Sequence, residues 1–291
     1  MEEKYVSDMQ KIATYYGQKV VYVKIDENEF DYLKDANVVL ERFPVQTYYS
    51  FLARKYLPET VERAMYFDFD VIFLDTIEAV YFQAFEGNYF IGVKEVYPKA
   101  VADLTEEELR LGKLVNGGTI IMNIAELRKN KVDSNYFKPF VDRLKQLPTV
   151  NFHGEALTFY SDQGLLAYVF RDKVKVMSEG QIFNNFSKLQ PTGQEVIVHF
   201  YGQPKYHNSE ISAIFSNYET RWLYTFHRYK LKAQIILGKV DALAVFAYFD
   251  QNLTKAIQYS DFSLMENYSI AFPWRRVPSD EMFSFELTHE E

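Results

Sequence analysis

The segment MYFDFDVIFLD, Met65 to Asp75, sets two carboxylates, Asp68 and Asp70, inside a run of aromatic and β-branched residues. Such a run reads as a buried strand, and on an extended strand residues two apart point to the same face. Neighbouring carboxylates repel and lose hydration there unless a proton or a cation lies between them. A hard divalent ion with oxygen ligands is the natural occupant. An Asp-x-Asp triplet also arises by chance in a chain of 291 residues, and aspartates at strand ends commonly cap loops. The pair gains meaning only from other polar residues that could join it.

Three further segments qualify. In VIVHFYGQPKYHN, His199 leaves a β-branched strand, Gly202 follows, and Lys205 comes three residues later. That pattern suits a metal ligand beside a phosphate contact, because glycine permits close backbone approach and the ammonium neutralises charge. A histidine simply satisfied at a strand end is the plainer alternative. In VNGGTIIMN, Asn116, Gly117 and Gly118 precede a buried strand, where the backbone can approach a ligand or merely turn. In SDQGLL, Ser161, Asp162 and Gln163 open a helix, and Ser and Asp are also ordinary capping residues there.

The elements that must hold these residues alternate. Strands are expected at Lys19 to Ile25, at RAMYFDFDVIFL, NYFIGVKEV, TIIMNI, KVKVM and EVIVHF. Helices are expected at Lys4 to Tyr16, Thr47 to Tyr56, AELRKN, Asn135 to Leu147 and DQGLLAYVF. Alternation of this kind predicts an α/β domain with a mixed, mostly parallel sheet flanked by helices. At the carboxyl ends of such strands lies the usual ligand crevice. From about Tyr218 the pattern changes to long helical stretches, so the expected division is 1–217 and 218–291.

A net charge of −8 argues against broad nucleic-acid binding, and an anionic small substrate would need a local device such as a metal ion. The chain has no cysteine, which excludes disulfides and thiolate chemistry. No apolar run reaches membrane-span length and the first ten residues are not a signal peptide, so a cytoplasmic protein is expected. The 23 Tyr and 25 Phe are expected mainly as core.

Taken in order, the four segments resemble glycosyltransferase family 8, the bacterial lipopolysaccharide-type galactosyl- and glucosyltransferases and their glycogenin relatives. RAMYFDFDVIFLD resembles the family's D-x-D strand, and VNGGTIIMNIAELRKN its N-A-G segment. SDQGLL resembles its D-Q-D motif, VHFYGQPKYH its H-Y-x-G-x-x-K-P-W, and TYYSFLARKYLPE the helix before the metal strand. The likeness covers approximately residues 1–210.

The resemblance implies a GT-A fold, the nucleotide-diphospho-sugar transferase fold, with a helical C-terminal extension. It implies a retaining transferase that moves galactose or glucose from a UDP-sugar to a cell-surface, lipopolysaccharide-type glycan. Asp68, Asp70 and His199 would then bind Mn²⁺ or Mg²⁺, a nitrogen ligand favouring Mn²⁺. Gly202 and Lys205 would contact the diphosphate, and Asn116 and Gly118 the donor sugar. Glu95 falls where the family carries an acid near the sugars. Asp162 and Gln163 would lie beside the anomeric carbon, Asp162 being the better nucleophile on chemical grounds.

Some positions depart from the family pattern. The family's first strand, with its A-D-D-N-Y segment, has no counterpart in this sequence. A family Arg is Ser50, the second Asp of D-Q-D is Gly164, and K-P-W reads Lys205, Tyr206, His207. These departures favour a rival expectation, an inactive glycosyltransferase-like binding module with an incomplete nucleotide site. Beyond residue 218, Arg221, Trp222, Lys230, Lys232 and FPWRR mix aromatics with basic residues. That mixture suits either a peripheral contact with the inner face of a membrane or a helical cap on the catalytic domain.

Overall fold

The computed structural model describes residues 3–38, 40, 44–95, 104–111, 114–152, 154–177, 182–184, 195–200 and 228–241. The chain divides into two compact units, Tyr22–Lys205, and Met1–Val21 together with Tyr206–Glu291. In the second unit the helix Glu3–Tyr15 buries Ala13. A described helix over 228–236 belongs to the same unit, where Lys239 pairs with Asp8 and Lys232 lies over the Tyr16 ring. Trp222 and FPWRR lie outside the described residues. No helix among the described residues is long and apolar enough to cross a membrane.

The larger unit carries strands β1 (Arg63–Phe67), β2 (Val71–Phe73), β3 (Phe90–Lys94), β4 (Val115–Asn123), β5 (Val150–Phe152), β6 (Glu155–Leu157), β7 (Val174–Val176), β8 (Ile182–Asn184) and β9 (Ile197–His199). One sheet has the order β1-β4-β3-β7, a second β2-β9-β8, and β5-β6 form a hairpin. Helices flank them. The sheets are mixed as expected, but among the described residues only the β3–β7 and β8–β9 ladders are parallel. The long central β4 runs antiparallel to both its neighbours, which is what reverses the expected majority.

β4 is buried on both faces along all but its last residue, consistent with its near-continuous apolar run. On one side it meets the major core, where the helices Ser134–Leu144 and Ser161–Val169 and the 3-10 helix Val45–Leu52 pack together. Aromatic rings fill this core: Phe51 stacks on Phe137 at 4.7 Å, and Phe170 meets Phe90 at 4.9 Å and Tyr136 at 5.8 Å. A smaller cluster, including Val80, Ile91, Ile121 and Ile197, ties the first sheet to the second.

Two expectations are corrected. Lys19–Ile25 forms no strand: residues 18–26 are irregular, and Val21, Tyr22 and Val23 are exposed. β-branched character alone does not make a strand without a partner ladder and a face to bury. RAMYFDFDVIFL is not one strand but two, β1 and β2, broken by a turn at Asp68–Phe69–Asp70. The Asp68 N–H bonds the Gly118 carbonyl at 2.9 Å, ending the pairing of β1 with β4. The chain then crosses to pair with β9, where the Phe200 N–H bonds the Asp70 carbonyl at 2.8 Å.

The approach to β1 is clamped. Arg128, on the helix Ile124–Lys129, donates to the carbonyls of Glu59 (3.0 Å), Val61 (2.6 Å), Leu57 (3.1 Å) and Pro58 (2.7 Å). One guanidinium thereby fixes the whole loop that feeds the aspartate turn. Arg128→Ala is expected to cost about 2–3 kcal/mol, the usual worth of hydrogen bonds to a charged group. A lowered urea midpoint with an unchanged slope is the expected reading.

Candidate active site

The site forms where the two sheets exchange a strand. The turn between β1 and β2 supplies Asp68 and Asp70, and the end of β9 supplies His199. One ligand atom from each lies within 4.8 Å of the others. The His199 Nε2 is 3.2 Å from Asp70 Oδ1 and 3.7 Å from Asp68 Oδ2. His199 is only 1% exposed, whereas the Asp68 and Asp70 side chains are 42% and 18% exposed. The imidazole is therefore a fixed wall, and the carboxylates open toward solvent. The carboxylates are brought together by a turn, not by the pleat of one extended strand.

Tyr66, two residues upstream, donates its hydroxyl to Asp68 Oδ1 at 2.6 Å, which leaves Oδ2 on the His199 side. Burial and the Asp68 charge hold that phenol well above its ordinary pKa, so it stays a donor. This residue was not singled out in the sequence, where it reads as one more aromatic of the strand.

The glycines of β4 supply the space. A Cβ on Gly118 would lie 2.1 Å from His199 Cε1, 2.6 Å from His199 Nε2 and 2.8 Å from Asp68 Oδ2. A Cβ on Gly117 would lie 2.7 Å from Asp162 Oδ2 and 2.9 Å from Gln163 Cγ. The two glycines thus let β4 approach two different groups, the aspartate–histidine cluster and the start of the Ser161–Val169 helix. Asn116 fixes this arch: its Oδ1 accepts from the Gly118 N–H at 2.9 Å, and its Nδ2 donates to the buried Glu95 at 2.8 Å. The Gly117 N–H donates to Gln163 Oε1 at 2.6 Å.

Most of the residues singled out in the sequence therefore gather. Asp68, Asp70, His199, Gly118, Asn116, Asp162 and Gln163 share one neighbourhood, with Glu95 one side chain behind Asn116. Gly202 and Lys205 lie outside the described residues.

The Asp162 carboxyl is strongly perturbed. Partial burial, and then the Asp68 charge, push its pKa from 3.8 up to about 7, although the backbone N–H groups of Asp162 and Gln163 favour the ionised form. A carboxyl whose pKa is raised by folding binds more protons folded than unfolded. Stability is then full below pH 3.8 and declines as pH rises toward about 7. In chelator-treated protein, Asp162→Asn is expected to flatten that decline and raise Tm at pH 8. The penalty removed is on the order of 4 kcal/mol at about 1.4 kcal/mol per pH unit. Thermal unfolding from pH 4 to 8 measures it.

The donor set, two carboxylates and one imidazole around a glycine cradle, fits a divalent cation, and a mixed oxygen–nitrogen set suits Mn²⁺. An α/β domain of mixed sheets, with this cluster at the strand exchange, is a GT-A glycosyltransferase fold. The galactosyltransferase LgtC, solved in complex with donor and acceptor sugar analogs, matches with a TM-score of 0.56. That match covers 77% of this chain and 80% of the LgtC chain at 12% identity, a likeness of fold.

The chain belongs to glycosyl transferase family 8, whose sequence model matches residues 1–208. A relative, lipopolysaccharide 1,2-glucosyltransferase of Escherichia coli, is 23% identical over 182 residues, 61% of this chain and 49% of that protein. The chain spans about half the length of that relative.

Proposed function

We propose that this protein is a retaining hexosyltransferase that passes galactose or glucose from a UDP-sugar to a lipopolysaccharide-type glycan. The observation that carries the reading is the convergence of Asp68, Asp70 and His199 with Asp162 and Gln163 across two adjacent glycines of β4. The catalytic domain is proposed to span 1–217, followed by a helical extension over 218–291. The names of the family and of the Escherichia coli relative support the substrate class.

Asp68, Asp70 and His199 would hold Mn²⁺ or Mg²⁺. When bound, the cation supplies Lewis-acid stabilisation of the charge that develops on the diphosphate leaving group. Tyr66 holds Asp68 Oδ1, so the other oxygen is aimed without a search among rotamers. Asn116 and the Gly117–Gly118 backbone form the floor on which the sugar would rest, with Glu95 fixing the Asn116 amide. Gly202 and Lys205 would complete the diphosphate contact. Asp162 and Gln163 would face the anomeric carbon, with Gln163 held by the Gly117 N–H. Partial burial and the Asp68 charge disfavour the Asp162 carboxylate, so developing positive charge at the sugar would relieve that cost.

The test is to incubate purified protein with UDP-galactose or UDP-glucose and Mn²⁺. Slow UDP release without acceptor is expected, accelerated by a truncated lipopolysaccharide core. Absence of UDP release with either donor, together with no Mn²⁺-dependent UDP binding by calorimetry, overturns the proposal. UDP binding without turnover would favour the inactive binding module instead.

A further inference from the structure

Tyr48 lies in the 3-10 helix Val45–Leu52, fully buried, with ring centroids 5.8 Å from Phe30 and 6.2 Å from Phe51. Its hydroxyl is buried too and has no hydrogen-bond partner among the described residues. An unmet buried hydroxyl costs about 1–3 kcal/mol, and phenylalanine would fill the same ring volume without that cost. Such a group calls for a reason outside packing.

The surroundings offer one. The Val45–Leu52 helix packs against the Ser161–Val169 helix, whose first turn carries Asp162. The Asp162 charge lies within electrostatic reach of the Tyr48 phenol and, after burial, is the next cause holding that phenol well above its ordinary pKa. Directly before Asp162, Ser161 adopts φ +50°, a left-handed conformation that a non-glycine residue holds only when its surroundings enforce it. Ser161 is also buried. Two unfavourable features, a strained serine and an unmet hydroxyl, thus converge on one carboxylate.

We propose that Tyr48 is a positioning residue for Asp162, its hydroxyl donating to the carboxylate during sugar transfer and fixing the rotamer that faces the sugar. The proposal rests on the reading of Asp162 as the group beside the anomeric carbon. It explains why a tyrosine stands where the core alone would favour phenylalanine. It also bears on Ser161, whose left-handed turn immediately precedes Asp162 at the start of the helix that packs on the 3-10 helix.

The experiment uses the full chain, with Tyr48→Phe, Asp162→Asn and the double variant. For donor hydrolysis, Tyr48→Phe is expected to lower kcat roughly tenfold, the size of one hydrogen bond made in the transition state. KM for the donor stays within about twofold, since uniform binding is untouched. Tm is unchanged or higher, and the kcat loss disappears in the D162N background. A wild-type kcat, a lowered Tm, or an equal loss in that background overturns the proposal.

A second readout does not depend on turnover. In chelator at pH 8, the Tm shifts of the two single variants should fail to add in the double variant by about 2 °C or more, as for groups that interact electrostatically. Additive shifts overturn the Tyr48 assignment whether or not the protein is an active transferase. Coupled shifts in a protein that releases no UDP from any donor would leave that assignment standing and overturn the transferase reading.

Discussion

Gly118→Ala is expected to abolish metal-dependent activity while leaving a folded protein. The added methyl would overlap the His199 ring, at 2.1 Å from Cε1, and crowd Asp68 Oδ2 at 2.8 Å. Neither β4 nor His199 can easily give way. β4 is pinned between β1 and β3, and Gly118 itself accepts from the Asp68 N–H and donates to Asn116. His199 is 1% exposed and terminates β9, with its backbone paired to Val71. The strain must therefore rotate the imidazole or push the aspartate turn away. A ligand displaced by about 1 Å costs roughly 100-fold in rate. Overpacking of this kind costs about 1–3 kcal/mol of stability, less than most domains hold in reserve. Mn²⁺ affinity by calorimetry should fall with activity, while circular dichroism retains the native signal. Wild-type Mn²⁺ affinity in the variant would show that the glycine serves only backbone packing.

The neighbouring glycine makes a useful contrast. Gly117 faces Asp162 Oδ2 and Gln163 Cγ, not the Asp68–Asp70–His199 cluster. Adjacent positions on one strand thus serve separate halves of the site. The sequence displays the pair of glycines but not which group each one approaches, because that depends on the local course of β4 and on partners 45 to 81 residues away in the chain. The same limit applies to the aspartates. Their types and their spacing point to a candidate cation site, but strand alternation is not what brings them together. An uninterrupted strand would have buried both carboxylates against a sheet. The turn instead places them at the exchange between two sheets, where Asp68 keeps substantial exposure.

What escaped sequence reading was local and polar in aromatic disguise. Tyr66 and Tyr48 sit in segments whose composition says strand and core, and both do pack as such. Their hydroxyls matter only through a 2.6 Å bond to Asp68 in one case and an unmet buried donor in the other. No periodicity encodes that. An apolar run also misled at Lys19–Ile25, where the pattern of a strand is present without a ladder to complete it. By contrast the apolar centre of β4, the start of the Ser161 helix and the end of the His199 strand were readable, each from a strong local propensity. The segment TIIMNI starts β4 too late, because Val115–Gly118 belong to the strand instead of forming a turn before it.

Asp70→Asn is expected to change stability and function in opposite directions. Without a cation, Asp68 and Asp70 set two like charges around one imidazole, and each charge raises the cost of its neighbour. Removing one charge relieves that repulsion while keeping the shape of the side chain. The variant in chelator should therefore unfold at or above the wild-type Tm. Mn²⁺ should raise the wild-type Tm in proportion to the logarithm of its concentration, since only the folded protein assembles the site. It should hardly raise that of the variant, and donor hydrolysis should fall at least about 100-fold, beyond the loss seen when a mere supporting residue is removed. Thermal scans with and without Mn²⁺, run beside the UDP-release assay, read both signs in one set of samples. Equal stabilisation of both proteins by Mn²⁺ would place the cation elsewhere. A lower Tm for the variant in chelator would mean that Asp70 serves mainly to hold His199, whose Nε2 lies 3.2 Å from its carboxylate, and that the cluster is structural before it is catalytic.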